Sequence, residues 1–270
     1  MEVGTNQLYQ EKKQYLEKLK QNFLFIYKES EDLLKENVVI YNQYNLVFGK
    51  HYYRRYELYC FCERLKRKLE LCQVYLNKEE EIDENQVEIT LDREFEEYLK
   101  RLQLILDEYN NAVSFNNLPN LSDLEIKEIK RIYIKIAKAI HPDVNLNITE
   151  DDKKLWQKAL NAYKINDLKT LKECEFYLDV YHSLPTKEIT SIDVIEQEIK
   201  KYIAKIASYQ SKNDYLRNSF PYDQKELLQN EIMIQVKLKE VQDDIILFTE
   251  RLNHLETMLS KILPKNEYIC

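Results

Sequence analysis

The chain has 270 residues, of which 32% are charged and 44% hydrophobic, and it contains only 2 glycines and 5 prolines. Because strand–helix turns depend on such residues, this composition disfavours sandwiches and parallel sheets and predicts an all-α protein with long, coiled-coil-like helices. The net charge of -7 provides no general attraction to nucleic acid or to an anionic membrane surface.

The sequence also disfavours several classes of function. No run approaches the roughly 18 consecutive apolar residues of a membrane span, and residues 1–10 lack the layout of a signal peptide, so we expect a cytoplasmic protein outside the membrane. The five cysteines form no Cys-x-x-Cys pair, which predicts free thiols and neither a metal nor another cofactor. His51, His182 and His254 are isolated, so we expect no enzymatic activity.

Residues 1–84 are predicted to form an N-terminal long-helix hairpin. Apolar residues recur at a 3-4 spacing over residues 19–47 and again over residues 58–76, which indicates coiled-coil-like seams. We place the break at Gly49, because glycine favours the left-handed conformation that follows a helix. The alternative is one helix that passes through Gly49 at a cost of about 1 kcal/mol. The second helix should stop before the acidic run Glu79–Glu84.

Residues 85–120 are predicted to hold a linker and a third helix. The alternation of apolar residues over Asn85–Asp92 is the one strand-like pattern in the sequence. Because it is too short to form a sheet, we expect an extended linker. The third helix is predicted over residues 91–113 and should be followed by an Asn-rich connector.

Residues 186–270 are predicted to form a C-terminal antiparallel coiled-coil hairpin. Apolar residues keep a heptad spacing over residues 192–216, where Asn213 is the one polar interruption, and the spacing resumes over residues 234–262 after a proline turn. The second arm is the longer one. Its seam at residues 252–262 should therefore pack against the rest of the chain or against a second copy.

Residues 121–182 contain the main candidate site. Ser122-Asp-Leu-Glu125 has the spacing of a capping box, which marks the start of a helix ending at Ile140. His141-Pro142-Asp143 then opens a loop, and another helix is predicted from Thr149 to Ile165. One stripe of the first helix is apolar, and another is cationic throughout, at Lys127, Lys130, Arg131, Lys135 and Lys138. Such a stripe suits an acidic partner; the alternative is a solvated lysine face.

The segment Glu128–Asp143 resembles the second helix and the His-Pro-Asp signature loop of the J-domain family, the co-chaperones of DnaK-type ATPases. Tyr133 and Lys135 fall at positions typical of that family. The helix over residues 153–163 is similar to the third helix of the family, particularly in Ala-Tyr at its end. The resemblance covers about residues 122–163, and it implies a small helix-loop-helix unit flanked by the long hairpins.

The chain departs from the family pattern in three places. No Tyr-x-x-Leu-Gly motif of a first helix stands before Ser122, so either the helix over residues 91–113 substitutes for that helix or the domain is truncated. Ala139 occupies a position that is often basic. A short segment, Asp167–Leu178, takes the place of the usual fourth helix.

The resemblance implies function by contact rather than by catalysis. In the family, the basic helix docks on an acidic surface of the DnaK-type partner, and the loop reaches the junction of its nucleotide domain and linker and promotes ATP hydrolysis there. In this chain the five cations would steer and hold the partner, Asp143 would pair with one of its cations, and His141 and Pro142 would shape the turn. The coiled coils would select a protein client or a location, or associate with a second copy through residues 252–262.

A second interpretation is a structural scaffold whose J-like unit no longer couples to a chaperone. His141 would then be a loop histidine that is hydrogen-bonded for local order. Exposure of His141–Asp143 and of the cationic stripe favours the co-chaperone, whereas coverage of both by the coiled coils favours the scaffold or an autoinhibited form.

Overall fold

The computed structural model describes residues 2–117, 121–145, 148–181 and 192–263, and every regular element in those ranges is helical, which confirms the all-α prediction. Within these ranges no helix has a stretch long and apolar enough to cross a membrane. The elements are α1 (Glu2–Asn77), α2 (Glu84–Glu94), α3 (Glu96–Asn116), α4 (Asp123–Ile140), α5 (Glu150–Lys164), α6 (Leu168–Tyr181), α7 (Ile192–Arg217), α8 (Lys225–Gln229) and α9 (Glu231–Ile262), with a 3-10 turn at Tyr222–Gln224.

The chain divides into two compact units. Unit 1 comprises residues 1–38 and 119–223, and unit 2 comprises residues 39–118 and 224–270. This division differs from the four consecutive segments expected from the sequence, because α1 contributes one part to each unit and each part gathers its own set of later helices.

α1 continues through Gly49, so the hairpin predicted to turn there is wrong. Gly49 does not have the positive φ of a helix-ending glycine. Its missing side chain makes room for another helix, since a Cβ at this position would lie 3.1 Å from Cδ2 and 3.2 Å from Cβ of Tyr109 in α3. Gly49 is therefore a close-packing position, which the sequence alone does not distinguish from a helix end.

The chain reverses direction after Asn77 instead. α1 ends there, before the acidic run Glu79–Glu84 as predicted, and Glu79 adopts a left-handed backbone with φ of 58°. α2 and α3 then run antiparallel to α1. The reversal is shown by ion pairs from Lys68 to Glu88 at 2.5 Å and from Arg64 to Asp92 at 2.7 Å, and farther along by Tyr109 of α3, which lies against Gly49. The chain therefore turns almost thirty residues later than predicted.

The segment predicted as an extended linker is helix α2. Asp83 caps it by accepting a hydrogen bond from the amide of Gln86 at 3.0 Å. Val87 and Leu91, four residues apart, share the buried face of the helix, whereas Ile89 is 62% exposed. Three apolar residues at alternate positions fit a strand and a helix about equally well, and packing against α1 selects the helix. The predicted third helix accordingly splits at Phe95, which lies between α2 and α3.

The seam at residues 252–262 packs against the rest of the chain, one of the two outcomes predicted for it. Leu255 is buried with Cys62 and Leu69 of α1, and Leu252, Leu259 and Ile262 pack around them. The thiol of Cys62 donates to the carbonyl of Phe248 at 3.3 Å. α9 runs parallel to this part of α1 within unit 2.

α7 runs parallel to the first part of α1 within unit 1. Lys12 pairs with Glu196 at 2.6 Å, and Arg217 pairs with Glu29 at 2.6 Å. Asn213, the polar interruption of the heptad pattern, is 1% exposed and donates to the carbonyl of Ile26 at 3.3 Å. The structure does not show the antiparallel hairpin predicted for residues 186–270, because each arm packs against α1. A heptad seam requires an apolar partner but does not specify which helix supplies it.

The cysteines within the described ranges are buried free thiols, as predicted. Burial raises the pKa of each of the four thiols, which keeps them protonated and unreactive at neutral pH. They are Cys60, Cys62, Cys72 and Cys174. Cys270 lies outside the described residues.

We expect Gly49→Ala to destabilise unit 2 by about 1 kcal/mol, even though alanine has the higher helix propensity by a similar amount. The crowded Tyr109 Cβ is attached directly to the backbone, so it can yield only if α3 shifts. Hydrogen exchange of the α3 amides measures the change. Lys50→Ala, at the exposed neighbouring position, is the control and should stay within about 0.5 kcal/mol of the wild type. A gain of stability in Gly49→Ala would contradict the packing role.

Candidate functional site

The helices on either side of the loop begin and end where the sequence predicts. Ser122 Oγ accepts from the amide of Glu125 at 3.3 Å, and a Glu125 carboxylate oxygen accepts from the amide of Ser122 at 2.9 Å, which completes the capping box. α5 begins with a second capping box at Thr149. At the end of α4, His141 leaves the helix with ψ of 125°, as expected for a residue before proline.

The loop is held by its main chain and by the ring of His141. The amides of Val144 and Asn145 donate to the carbonyl of His141 at 2.9 and 3.0 Å. The amide of Asp143 donates to Nδ1 of His141 at 3.0 Å. Pro142 is exposed in this turn. These three hydrogen bonds define the turn without using the carboxylate of Asp143.

The side chain of His141 is buried, only 3% exposed, and does not face solvent. Its ring centroid lies 4.7 Å from that of Tyr27 in α1, 4.6 Å from Trp156 in α5 and 5.7 Å from Phe23 in α1. The structure therefore places the ring of His141 in the core, where it orders the loop, as both interpretations of the sequence expect.

Burial also sets the charge of His141. It lowers the pKa of the imidazole to about 4, with a smaller opposing effect from Asp143 and a further lowering from Lys205. The ring is therefore neutral at pH 7. Because Nδ1 accepts from an amide, the proton must sit on Nε2, which is buried without a hydrogen-bond partner among the described residues.

Asp143 is half-exposed and is contacted by α7. Lys205 Nζ lies 2.7 Å from Asp143 Oδ1, and the side chains are 26% and 42% exposed. The hydroxyl of Tyr202 donates to the main-chain carbonyl of Asp143. The carboxylate that the resemblance assigns to a partner's cation thus already pairs with a cation of the same chain.

Two cations of the α4 stripe pair with α6. Arg131 lies 3.0 Å from Glu175, and Lys135 lies 3.0 Å from Glu175 and 2.7 Å from Asp179. The segment expected to replace a fourth helix is thus a full helix of 14 residues that packs beside α4 and neutralises part of its charge. These pairs hold the pKa of Glu175 below its usual range, so the carboxylate stays ionised.

The other three cations are more available. Lys130 lies 3.9 Å from Asp32 of α1, which is the outer limit of an ion pair, and is 46% exposed. Lys127 and Lys138 are exposed and have no ion pair within the described part of the chain. The structure therefore divides the uniform stripe of the sequence into a paired side and an open side.

The position beside α4 and α5 is filled by α1. The substitute predicted for a first helix, over residues 91–113, belongs to α2 and α3 in unit 2. In unit 1, Phe23 and Ile26 of α1 join the same core as Ile136 of α4. Tyr163 of α5 donates to Asp32 of α1 and stacks on Tyr133 of α4 with ring centroids 3.8 Å apart.

Sequence reasoning missed the two α7 residues that contact the loop. The heptad pattern marks Tyr202 as a seam residue but does not identify its partner. Lys205 has no distinguishing signal among the lysines of the chain. Only folding brings it to Asp143, 62 residues earlier in sequence.

Within the described ranges, no group of three or more His, Cys, Asp or Glu residues could hold a metal ion.

We expect unit 1 to lose about 2 kcal/mol of stability between pH 7 and pH 5 through His141. The folded pKa of about 4 lies below the unfolded value of 6.5. In this window the unfolded state binds a proton that the folded state excludes, so stability falls as the pH falls. Urea unfolding followed by the fluorescence of Trp156, the single tryptophan and a ring neighbour of His141, measures the loss.

His141→Gln should show a shallower pH dependence than the wild type, and His254→Gln, at an exposed position of α9, should keep the wild-type dependence. An NMR titration of the wild type needs no folded variant. It should show the His141 ring still mainly neutral at pH 5, and half-protonation near pH 6.5 would contradict its burial.

Comparisons of the chain with protein-family models, with curated proteins and with solved structures found no match. The likeness to the J-domain family therefore rests on residues 122–163 alone.

Proposed function

We propose that this protein is a cytoplasmic J-domain-like co-chaperone that engages and stimulates a DnaK-type ATPase. The observation that carries the proposal is the construction of the turn. Main-chain hydrogen bonds and the ring of His141 hold the loop, so the turn does not use the carboxylate of Asp143, which is left to bind a cation. In the structure that cation is Lys205, which belongs to a helix outside the α4–α5 pair.

The open side of the α4 stripe supports a basic docking surface. Lys127, Lys130 and Lys138 lie on the helix that leads into the loop, and none of them has a close carboxylate partner in the described ranges. An acidic partner would be attracted to this surface over several ångströms and oriented with the loop near its own surface. Binding of this kind weakens with added salt.

The proposed mechanism is contact. After docking through the lysines, Asp143 would pair with a cation at the junction of the partner's nucleotide domain and linker, where the family promotes ATP hydrolysis. His141 contributes by holding the turn in shape from inside the core, and Pro142 by ending α4. The clients that the long helices select remain a prediction.

The second candidate is a structural scaffold in which the J-like unit is a packing module. It is favoured by the burial of His141 at 3% exposure and by the Lys205–Asp143 pair. In this case the loop would contribute to the core of unit 1 and would have no effect on a chaperone.

We expect the wild-type protein to raise the steady-state ATPase rate of the cognate DnaK-type chaperone, and Asp143→Asn to reduce this stimulation about tenfold or more, since it removes one member of the proposed ion pair. Asp151→Asn makes the same charge change at an exposed position of α5 and should stimulate like the wild type. His141→Gln should also lose stimulation through disorder of the loop. Equal rates with the wild type, with Asp143→Asn and with no addition would establish the scaffold instead.

A paired charge reversal, Lys127→Glu with Lys138→Glu, should slow association with the chaperone about tenfold at low salt, and the difference should shrink as salt is added. The matched control is Lys153→Glu with Lys154→Glu, which makes the same change of charge on the exposed start of α5. Surface-bound chaperone and stopped-flow mixing measure the rates. Equal slowing by both pairs would indicate a general effect of charge rather than docking through α4.

A further inference from the structure

We propose that α7 is a built-in competitor of the chaperone, and that the His-Pro-Asp loop engages a partner only after Tyr202 and Lys205 of α7 have left Asp143. This inference rests on the proposed function and adds regulation to the same site. The competing group is chemically the same as the one the partner must supply, namely a cation for the Asp143 carboxylate.

Lys205 occupies the carboxylate in a defined position. Its ammonium lies 2.7 Å from Asp143 Oδ1, and it also lies 5.7 Å from the ring centroid of Phe23 and 5.9 Å from that of Tyr202. Two aromatic rings near the ammonium restrain it and add attraction to the cation. A mobile surface lysine would have neither restraint.

Tyr202 covers the main chain of the same residue. Its hydroxyl donates to the carbonyl of Asp143, and its ring packs edge-on against Phe23 of α1 with centroids 5.8 Å apart. Tyr202 is only 1% exposed. α7 therefore contacts both the carboxylate and the carbonyl of Asp143, and Lys205 competes with a partner's cation for the carboxylate.

The rest of the α7 contact is suited to reversible release. Four of its 26 residues are buried, against six of 18 in α4, so α7 is the more loosely packed helix. One of the four is Asn213, whose Oδ1 is buried without a partner in the described ranges. A polar residue in a heptad seam lowers the stability of helix pairing. The ion pairs at the two ends of α7, with Lys12 and Glu29, are partly exposed and add little.

Release of α7 would free Asp143 and would also take Ile195, Tyr202 and Ile206 out of the core of unit 1. Release leaves the turn itself unchanged, because the amides of residues 143–145 bond to His141 and not to α7. Within the described ranges, no lysine of the α4 stripe forms an ion pair with α7. A chaperone can therefore dock on α4 first and then displace Lys205.

Lys205→Glu tests the proposal by turning the attraction for Asp143 into repulsion. We expect this variant to lower the concentration needed for half-maximal ATPase stimulation by about fivefold or more. Lys201→Glu makes the same change one turn earlier on α7, where Lys201 pairs with Glu198 at 3.5 Å, and should match the wild type. Tyr202→Phe removes only the hydroxyl and keeps the buried ring, so it provides a second variant that preserves the core, with a gain in the same direction.

Hydrogen exchange of the α7 amides provides a readout that needs no chaperone. Exchange over residues 192–217 should be faster in Lys205→Glu than in Lys201→Glu and the wild type. Equal protection in all three would show that the contact does not hold α7 on the loop, and would overturn the inference.

The ATPase results separate this inference from the function on which it rests. If Lys205→Glu no longer lowers the concentration for half-maximal stimulation once it is combined with Asp143→Asn, competition at the loop is supported. If the concentration is still lowered in the double variant, competition is overturned. Stimulation that is equal in the wild type and Lys205→Glu but absent in Asp143→Asn leaves the co-chaperone function standing and overturns competition. No stimulation by any variant overturns both.

Discussion

The candidate site depends on the burial of one neutral imidazole. The ring of His141 lies between Tyr27 of α1 and Trp156 of α5, which are separated by more than 120 residues in the chain. The contact requires the uncharged ring, because a buried charge without a partner would be costly. The same ring accepts the amide of Asp143, so the core of unit 1 and the shape of the loop are built on one side chain.

The arrangement of charges around the loop follows from the burial of the His141 ring. The loop carries Asp143 outward, where Lys205 meets it, and α4 carries five cations, of which α6 neutralises two. Charges that are satisfied within the chain contribute to the packing of unit 1, whereas Lys127 and Lys138 on the open side of α4 are exposed and form no ion pair in the described part of the chain.

Unit 2 shows the same use of α1 as a template for later helices. α2 and α3 pack antiparallel to the second part of α1, and α9 packs parallel to it. Gly49 illustrates how close this packing is, since even a methyl group there would press on Tyr109. In both units, the long helix offers apolar residues on more than one side, and the returning helices cover them.

The sequence by itself determined the features that depend on neighbours within one or two turns. The capping boxes at Ser122 and Thr149, the end of α4 before Pro142 and the end of α1 before the acidic run follow from local hydrogen bonding and backbone geometry. The helical content follows from the scarcity of glycine and proline. Such rules need no knowledge of distant parts of the chain.

Only the tertiary structure decided which surfaces meet. A glycine such as Gly49 looks the same in the sequence whether it ends a helix or lets another helix pack closely against it. The alternation at Val87, Ile89 and Leu91 fits a strand or a helix, and burial of one side against α1 selects the helix. The heptad seams of α7 and α9 would be satisfied by each other or by α1, since an apolar stripe does not encode its partner. The pairing of Lys205 with Asp143 is a consequence of that choice, which is why the residue that covers the candidate site could not be found in the sequence.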